Sequence, residues 1–136
     1  MATIHTTYIS DLRTKMTHLQ SGESVITDAP IDNNGKGEAF SPTDLVASAL
    51  GSCMLTIMGI AAREHNFSID GTTASITKIM ASDPRRISEV QIQLKFPEIT
   101  YTQKQKRILE KISKTCPVAL SLHPELKQTV DLIFND

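Results

Sequence analysis

The chain has 136 residues, 14 basic against 15 acidic for a net charge of −1, only 4% aromatic residues and no Trp. That is the length of one domain, 1–136, with a real core, and its balanced charge and scarce aromatics argue against nucleic acid, base stacking or sugar binding. With no leader of basic then apolar residues, two cysteines lead us to expect a cytoplasmic protein whose thiols are reactive or simply buried rather than locked in a structural disulfide.

Thr3 to Ile9 is rich in β-formers, Arg13 to Leu19 can pair with it, and Ser24 to Thr27 follows the turn signal Ser21-Gly22. Three short strands are predicted, then a loop over Asp28–Glu38, dense in Asn, Asp, Gly and Pro. Ser41-Pro-Thr-Asp44 is a helix start: Ser41 as N-cap, Pro42 as first helical residue and Asp44 as an acidic partner in a capping box. The helix is predicted to run to about His65-Asn66, about 24 residues or ~36 Å at ~1.5 Å per residue.

Leu45 to Ala62 carries no charge. Its length is that of a membrane span. Ser48, Gly51, Ser52, Cys53, Thr56 and Gly59 dilute its hydrophobicity, and the remainder of the chain patterns as a soluble domain, so a buried core helix is the expectation. A helix apolar on nearly every side needs cover all round. One chain of this size supplies too little, which predicts a dimer.

After the Asp70-Gly71 turn, Thr72 to Met80 is β-branched and alternating, with Ala74 and Ile76 facing inward. A hairpin loop over Ser82–Arg86 leads to a strand where Val90, Ile92, Leu94 and Phe96 alternate with Glu89, Gln91, Gln93 and Lys95. That is the signature of a half-buried antiparallel strand. Thr102 caps an amphipathic helix reaching Lys114 with Ile108, Leu109 and Ile112 apolar. Thr115-Cys-Pro breaks it and starts a short helix through about Leu122, and Thr129 to Phe134 closes as a strand. The predicted order is βββ-α-ββ-αα-β, an α+β protein.

The two cysteines are the chemistry-bearing residues. Cys53 lies about eleven residues into the long helix, where the dipole has faded and apolar surroundings raise a thiol pKa. Its local sequence therefore favours a packing role, and a catalytic one requires a cation supplied by tertiary structure. Cys116 precedes Pro117 as an N-cap, a placement that lowers a thiol pKa, so by local sequence it is the better thiolate. His5, His18, His65 and His123 are scattered without zinc spacing. A Cys-His-Asp acyl-transfer site using His18 or His123 has no motif behind it.

Together these segments resemble a known family. Ser41-Pro-Thr-Asp-Leu-Val-Ala-Ser-Ala-Leu-Gly-Ser-Cys53-Met is similar to the central-helix motif of the OsmC/Ohr proteins (osmotically inducible and organic hydroperoxide resistance proteins). Cys116-Pro-Val resembles their second cysteine motif, at the expected distance and in the expected order of elements. The resemblance implies an intertwined homodimer with sheets wrapped around paired central helices. It implies a thiol peroxidase acting on organic hydroperoxides, with Cys53 peroxidatic and Cys116 resolving, regenerated by an external dithiol of lipoyl type, with no metal or flavin. It further implies an activating Arg from the N-terminal strands, for which Arg13 is the candidate as the only Arg before residue 63.

The family's Glu directly after the helix-start Pro is here Thr43, with Asp44 one place on as the candidate acid. That departure opens an alternative: a dimer of the same fold that senses redox state or binds an apolar ligand without peroxidase activity. The apolar neighbours Met54, Ile57 and Met58 suit an alkyl or lipid peroxide.

Overall fold

A computed structural model describes residues 1–135. The elements are β1 (Ile4–Ser10), β2 (Arg13–His18), β3 (Ser24–Asp28), α1 (Pro42–Glu64), β4 (Thr73–Ala81), β5 (Arg86–Lys95), α2 (Gln103–Thr115), α3 (Pro117–Ser121) and β6 (Lys127–Ile133), with a 3₁₀ turn at Ile31–Asn33. The protein is α+β with two sheets, a long central helix and a second helix following them, in the predicted order. The chain divides into two compact units, Met1–Val46 and one beginning at Ala47.

The first unit is an antiparallel sheet of order β1-β2-β3. Pairing places Ile4 opposite His18, Met16 opposite Val25 and Tyr8 opposite Thr14, so Ile4, Tyr8 and Val25 share a face. β1 is exposed along its whole length in the single chain, and Ile26, on the other face, is exposed as well. Burial begins only at the end of β3, where Thr27 and Asp28 are enclosed.

The second unit holds the core. Its sheet has the order β4-β5-β6, with β4 antiparallel and β6 parallel to β5. A parallel return needs a long crossover, and α2 with α3 supplies it. Val90, Ile92 and Leu94 are buried while Gln91, Gln93 and Lys95 are exposed, as the alternation predicts. Leu50, Met54 and Met58 of α1, spaced one turn apart, belong to the same core, with Ala62 continuing the stripe. Thr102 caps α2 by accepting the Gln105 N–H (3.1 Å) while Gln105 accepts the Thr102 N–H (2.9 Å), and Leu109 is its fully buried residue. Phe96 stacks on Phe134 at 4.7 Å and Tyr101 packs edge-on against Phe96 at 5.8 Å.

α1 spans 23 residues, close to the predicted length, and is long and apolar enough to cross a membrane by length and composition. Only 33% of its most apolar 18-residue window is buried within the chain. Gly51 is what brings it close to β4. A Cβ built there would lie 2.5 Å from Ile76 Cδ1, inside any van der Waals contact.

Candidate active site

Cys53 and Cys116 come from opposite ends of the second unit's sequence. Cys53 rides on the middle of α1, half-buried, on the flank of the stripe that enters the core. Met54 and Met58 are fully buried in that core, so they do not line an approach to the sulfur as the sequence suggested. Ile57, one turn on, remains half-buried beside it.

Cys116 is both the C-cap of α2 and the N-cap of α3. It is extended (φ −66°, ψ 151°) because Pro117 disfavours helical backbone before it. This single residue turns the chain between two helices and places its thiol in the core, at 0% exposure. Cys53 packs against the core cluster that contains Cys116, and neither thiol is in a disulfide.

The expectation that a helix start makes Cys116 the better thiolate is overturned. Burial pushes its pKa up, and the Cys53 side chain pushes it further. The N–H groups of Ala119 and Val118 pull in the opposite direction without winning. The reason is enclosure: the sulfur is fully buried, and α3, only five residues long, offers too little dipole to offset that.

Asp44 sits at the start of α1 and closes the capping box. It accepts the Ser41 N–H at 3.0 Å, and its own N–H donates to Ser41 Oγ at 3.1 Å. Thr43, at the position where the resemblance implies Glu, lies 3.1 Å from Ser41 Oγ through its hydroxyl.

Arg13 belongs to the first unit. There it forms a two-pronged pair with Asp28, Nε to Oδ1 at 2.7 Å and Nη2 to Oδ2 at 2.9 Å, with Glu38 Oε2 at 4.0 Å. Such a fork fixes a guanidinium in plane as well as in position. The Asp28 side chain is fully buried and also accepts the Glu38 N–H at 3.2 Å. Hydrogen bonding to Arg13 is the main reason the Asp28 carboxyl is held below its ordinary range, and the reciprocal bond raises Arg13.

Asp28 is the residue the sequence reading missed, taken there only as the start of a loop. A signal existed: pairing β2 with β3 antiparallel about the Ser21-Gly22 turn puts position 13 directly opposite position 28, a cation facing an acid.

A family model described as OsmC-like protein matches residues 35–131. Among solved structures, a Psychrobacter arcticus protein, named for a proposed osmotic stress induced and detoxification response, is 55% identical. It covers 97% of this chain and 96% of its own, with a TM-score of 0.93. An organic hydroperoxide resistance protein OsmC from Legionella pneumophila superposes with a TM-score of 0.76 at 13% identity, covering 98% of both chains. One from Elizabethkingia anophelis does so at 0.76 and 14%, over 99% of this chain and 98% of its own. At these lower identities the likeness is one of fold. No curated protein matches the chain.

Proposed function

The chain belongs to the OsmC-like protein family, and from that membership we propose that it is a thiol-dependent peroxidase that reduces organic hydroperoxides. The observation that carries this reading is that Cys53 and Cys116, 63 positions apart in sequence and both free, belong to one packed core, Cys53 at its edge and Cys116 within it.

In the proposed cycle the Cys53 thiolate attacks one peroxide oxygen. The O–O bond breaks, Cys53 becomes a sulfenic acid, and the alkoxide takes up a proton to leave as an alcohol. Cys116 sulfur then attacks the Cys53 sulfenate sulfur, forming the disulfide and releasing water. An external dithiol, of lipoyl type in the family's pattern, reduces the disulfide and restores both thiols. Arg13 is the proposed cation that favours the thiolate and the departing alkoxide, with Asp28 holding its guanidinium in place of the missing Glu. Asp44 contributes through the helix start. Reduced thiols suit the proposed cytoplasmic setting.

A homodimer is proposed with this activity. Two features support it: α1 buries only a third of its apolar window within one chain, and Ile4, Tyr8, Val25 and Ile26 stand exposed on a three-stranded sheet.

Stopped-flow oxidation of the reduced protein by cumene hydroperoxide tests the reading. Consumption far faster than a free thiol is expected, abolished in Cys53→Ser. In Cys116→Ser the first turnover should survive and stop at a sulfenate that dimedone traps. Oxidation of Cys53 no faster than a free thiol overturns it. The placement of Thr43 where the family carries Glu favours one other reading, a redox sensor or carrier of an apolar ligand. That reading predicts a ligand in native mass spectra of the purified protein and slow peroxide turnover.

A further inference from the structure

Arg13 is the cation of the proposed cycle, and its surroundings within the first unit bear on what it can accept. A guanidinium grips a carboxylate through a pair of parallel N–H groups. Nε and Nη2 of Arg13 are already used in that way by Asp28, at 2.7 and 2.9 Å, and the Asp28 side chain is fully buried. A second acid, Glu38, brings Oε2 to 4.0 Å from Nη2, and its side chain is 66% exposed. The Glu38 N–H donates to Asp28 Oδ2 at 3.2 Å, which tethers this residue to the pair.

The charges around the guanidinium do more than balance it. Asp28, Glu38 and Asp11 act on Arg13, and Lys36 acts on Asp28, so two cations stand against three acids. Asp28 is enclosed and matched by the fork, which leaves the exposed Glu38 as the charge an arriving molecule meets. Apolar groups adjoin the same pair. Backbone hydrogen bonds join Asp28 to Phe40 at 3.0 Å and Ala29 to Leu12 at 3.1 Å, and Phe40 and Leu12 are both exposed.

We infer that Glu38 sets the substrate class: uncharged, apolar organic hydroperoxides are accepted, and hydroperoxides that carry a carboxylate, as those of a free fatty acid do, are disfavoured. This rests on Arg13 serving the Cys53 thiolate, as proposed above. A neutral peroxide needs a donor only for its departing oxygen, and Arg13 keeps N–H groups beyond the two that Asp28 uses. A carboxylate arriving at the same guanidinium meets a filled fork and a second negative charge.

The test compares kcat/KM for cumene hydroperoxide bearing a para-carboxylate with that for the methyl ester of the same acid. The reacting peroxide is then the same and only the charge differs. Wild type should use the ester faster by roughly three- to fivefold, the range of an exposed charge pair. Glu38→Gln, which keeps the backbone bond to Asp28, should narrow that ratio, and Glu38→Lys should narrow it further. Salt at about 1 M should narrow the wild-type ratio more than the Gln ratio. Damage to the Arg13–Asp28 pair would slow both substrates alike and leave the ratio in place, so the ratio separates a selective role from a structural one. Equal rates in wild type, or one ratio shared by wild type and both Glu38 variants, overturn the inference and leave the peroxidase reading standing. Absence of Cys53-dependent turnover with either substrate and with cumene hydroperoxide itself removes both.

Discussion

Gly51 offers a quantitative check on how α1, the helix that carries Cys53, is seated on β4. A methyl group at Gly51 would lie 2.5 Å from Ile76 Cδ1 and 3.3 Å from its Cγ1, with Ala74 Cβ at an ordinary 3.9 Å. Carbon contacts settle near 3.5–4.0 Å, so Ile76 must give way by about 1 Å. Gly51→Ala gains about 1 kcal/mol of helix propensity. Overpacking at a tight core contact costs about 2 kcal/mol. The overlap wins, and a net loss of about 1 kcal/mol is expected.

Ile76→Val deletes the one carbon in the way and by itself costs about 1 kcal/mol. In the double variant the new methyl occupies the space the lost carbon left, and the propensity gain offsets the lost burial, so stability returns close to wild type. Simple addition predicts a loss of about 2 kcal/mol, so the coupling is about 2 kcal/mol. Urea unfolding at one fixed protein concentration measures it, since the stability of the proposed dimer varies with concentration. Additivity of the two changes within ~0.5 kcal/mol, or a stabilised Gly51→Ala, would refute the seating of Gly51 against Ile76.

Three other expectations follow from the geometry. The Asp28 carboxyl is held below its ordinary range mainly by Arg13, so its contribution is present above the ordinary carboxylate pKa and is lost as pH falls through the lowered folded value. Asp28→Asn should therefore weaken the protein at pH 7 and flatten the decline of the urea midpoint from about pH 5 downward, while also slowing peroxide reduction. Acid curves parallel to wild type would contradict the pair. Ser41→Ala should cost about 1 kcal/mol through the lost cap, and adding Asp44→Ala should cost less than its effect alone because both belong to one box. Light scattering of the purified chain should give twice 15.0 kDa, and a monomer mass at micromolar concentration would contradict the dimer.

The fold was legible where local signals agreed with one another. Alternation along Val90–Phe96, the Thr102 and Ser41 caps and the Pro117 break each placed an element within a residue or two of its observed boundary. Less legible was anything set by pairing across the chain. The Asp11-Leu12 turn between β1 and β2 holds both residues at positive φ (52° and 64°), although Leu carries no preference for that region. Nothing in the sequence of β6 distinguishes a parallel from an antiparallel neighbour. Met54 and Met58 were read as surroundings of a reactive sulfur, whereas helical spacing from Leu50 already put them on the buried stripe.

The site illustrates how a local reading misjudges a thiol. Cys116 has the sequence of an activated cysteine, an N-cap followed by Pro, yet activation at a helix start needs a helix long enough to carry a dipole and N–H groups that bond the sulfur. α3 has five residues, and the Ala119 and Val118 N–H groups do not offset the burial of the sulfur, so its pKa is raised. Cys53 has the sequence of an inert core residue, yet it keeps the more exposed position of the two. Arg13 and Asp28 make a related point: the acid that holds the guanidinium is buried and comes opposite it only through strand pairing. Enclosure is a property of the folded chain that no six-residue window contains.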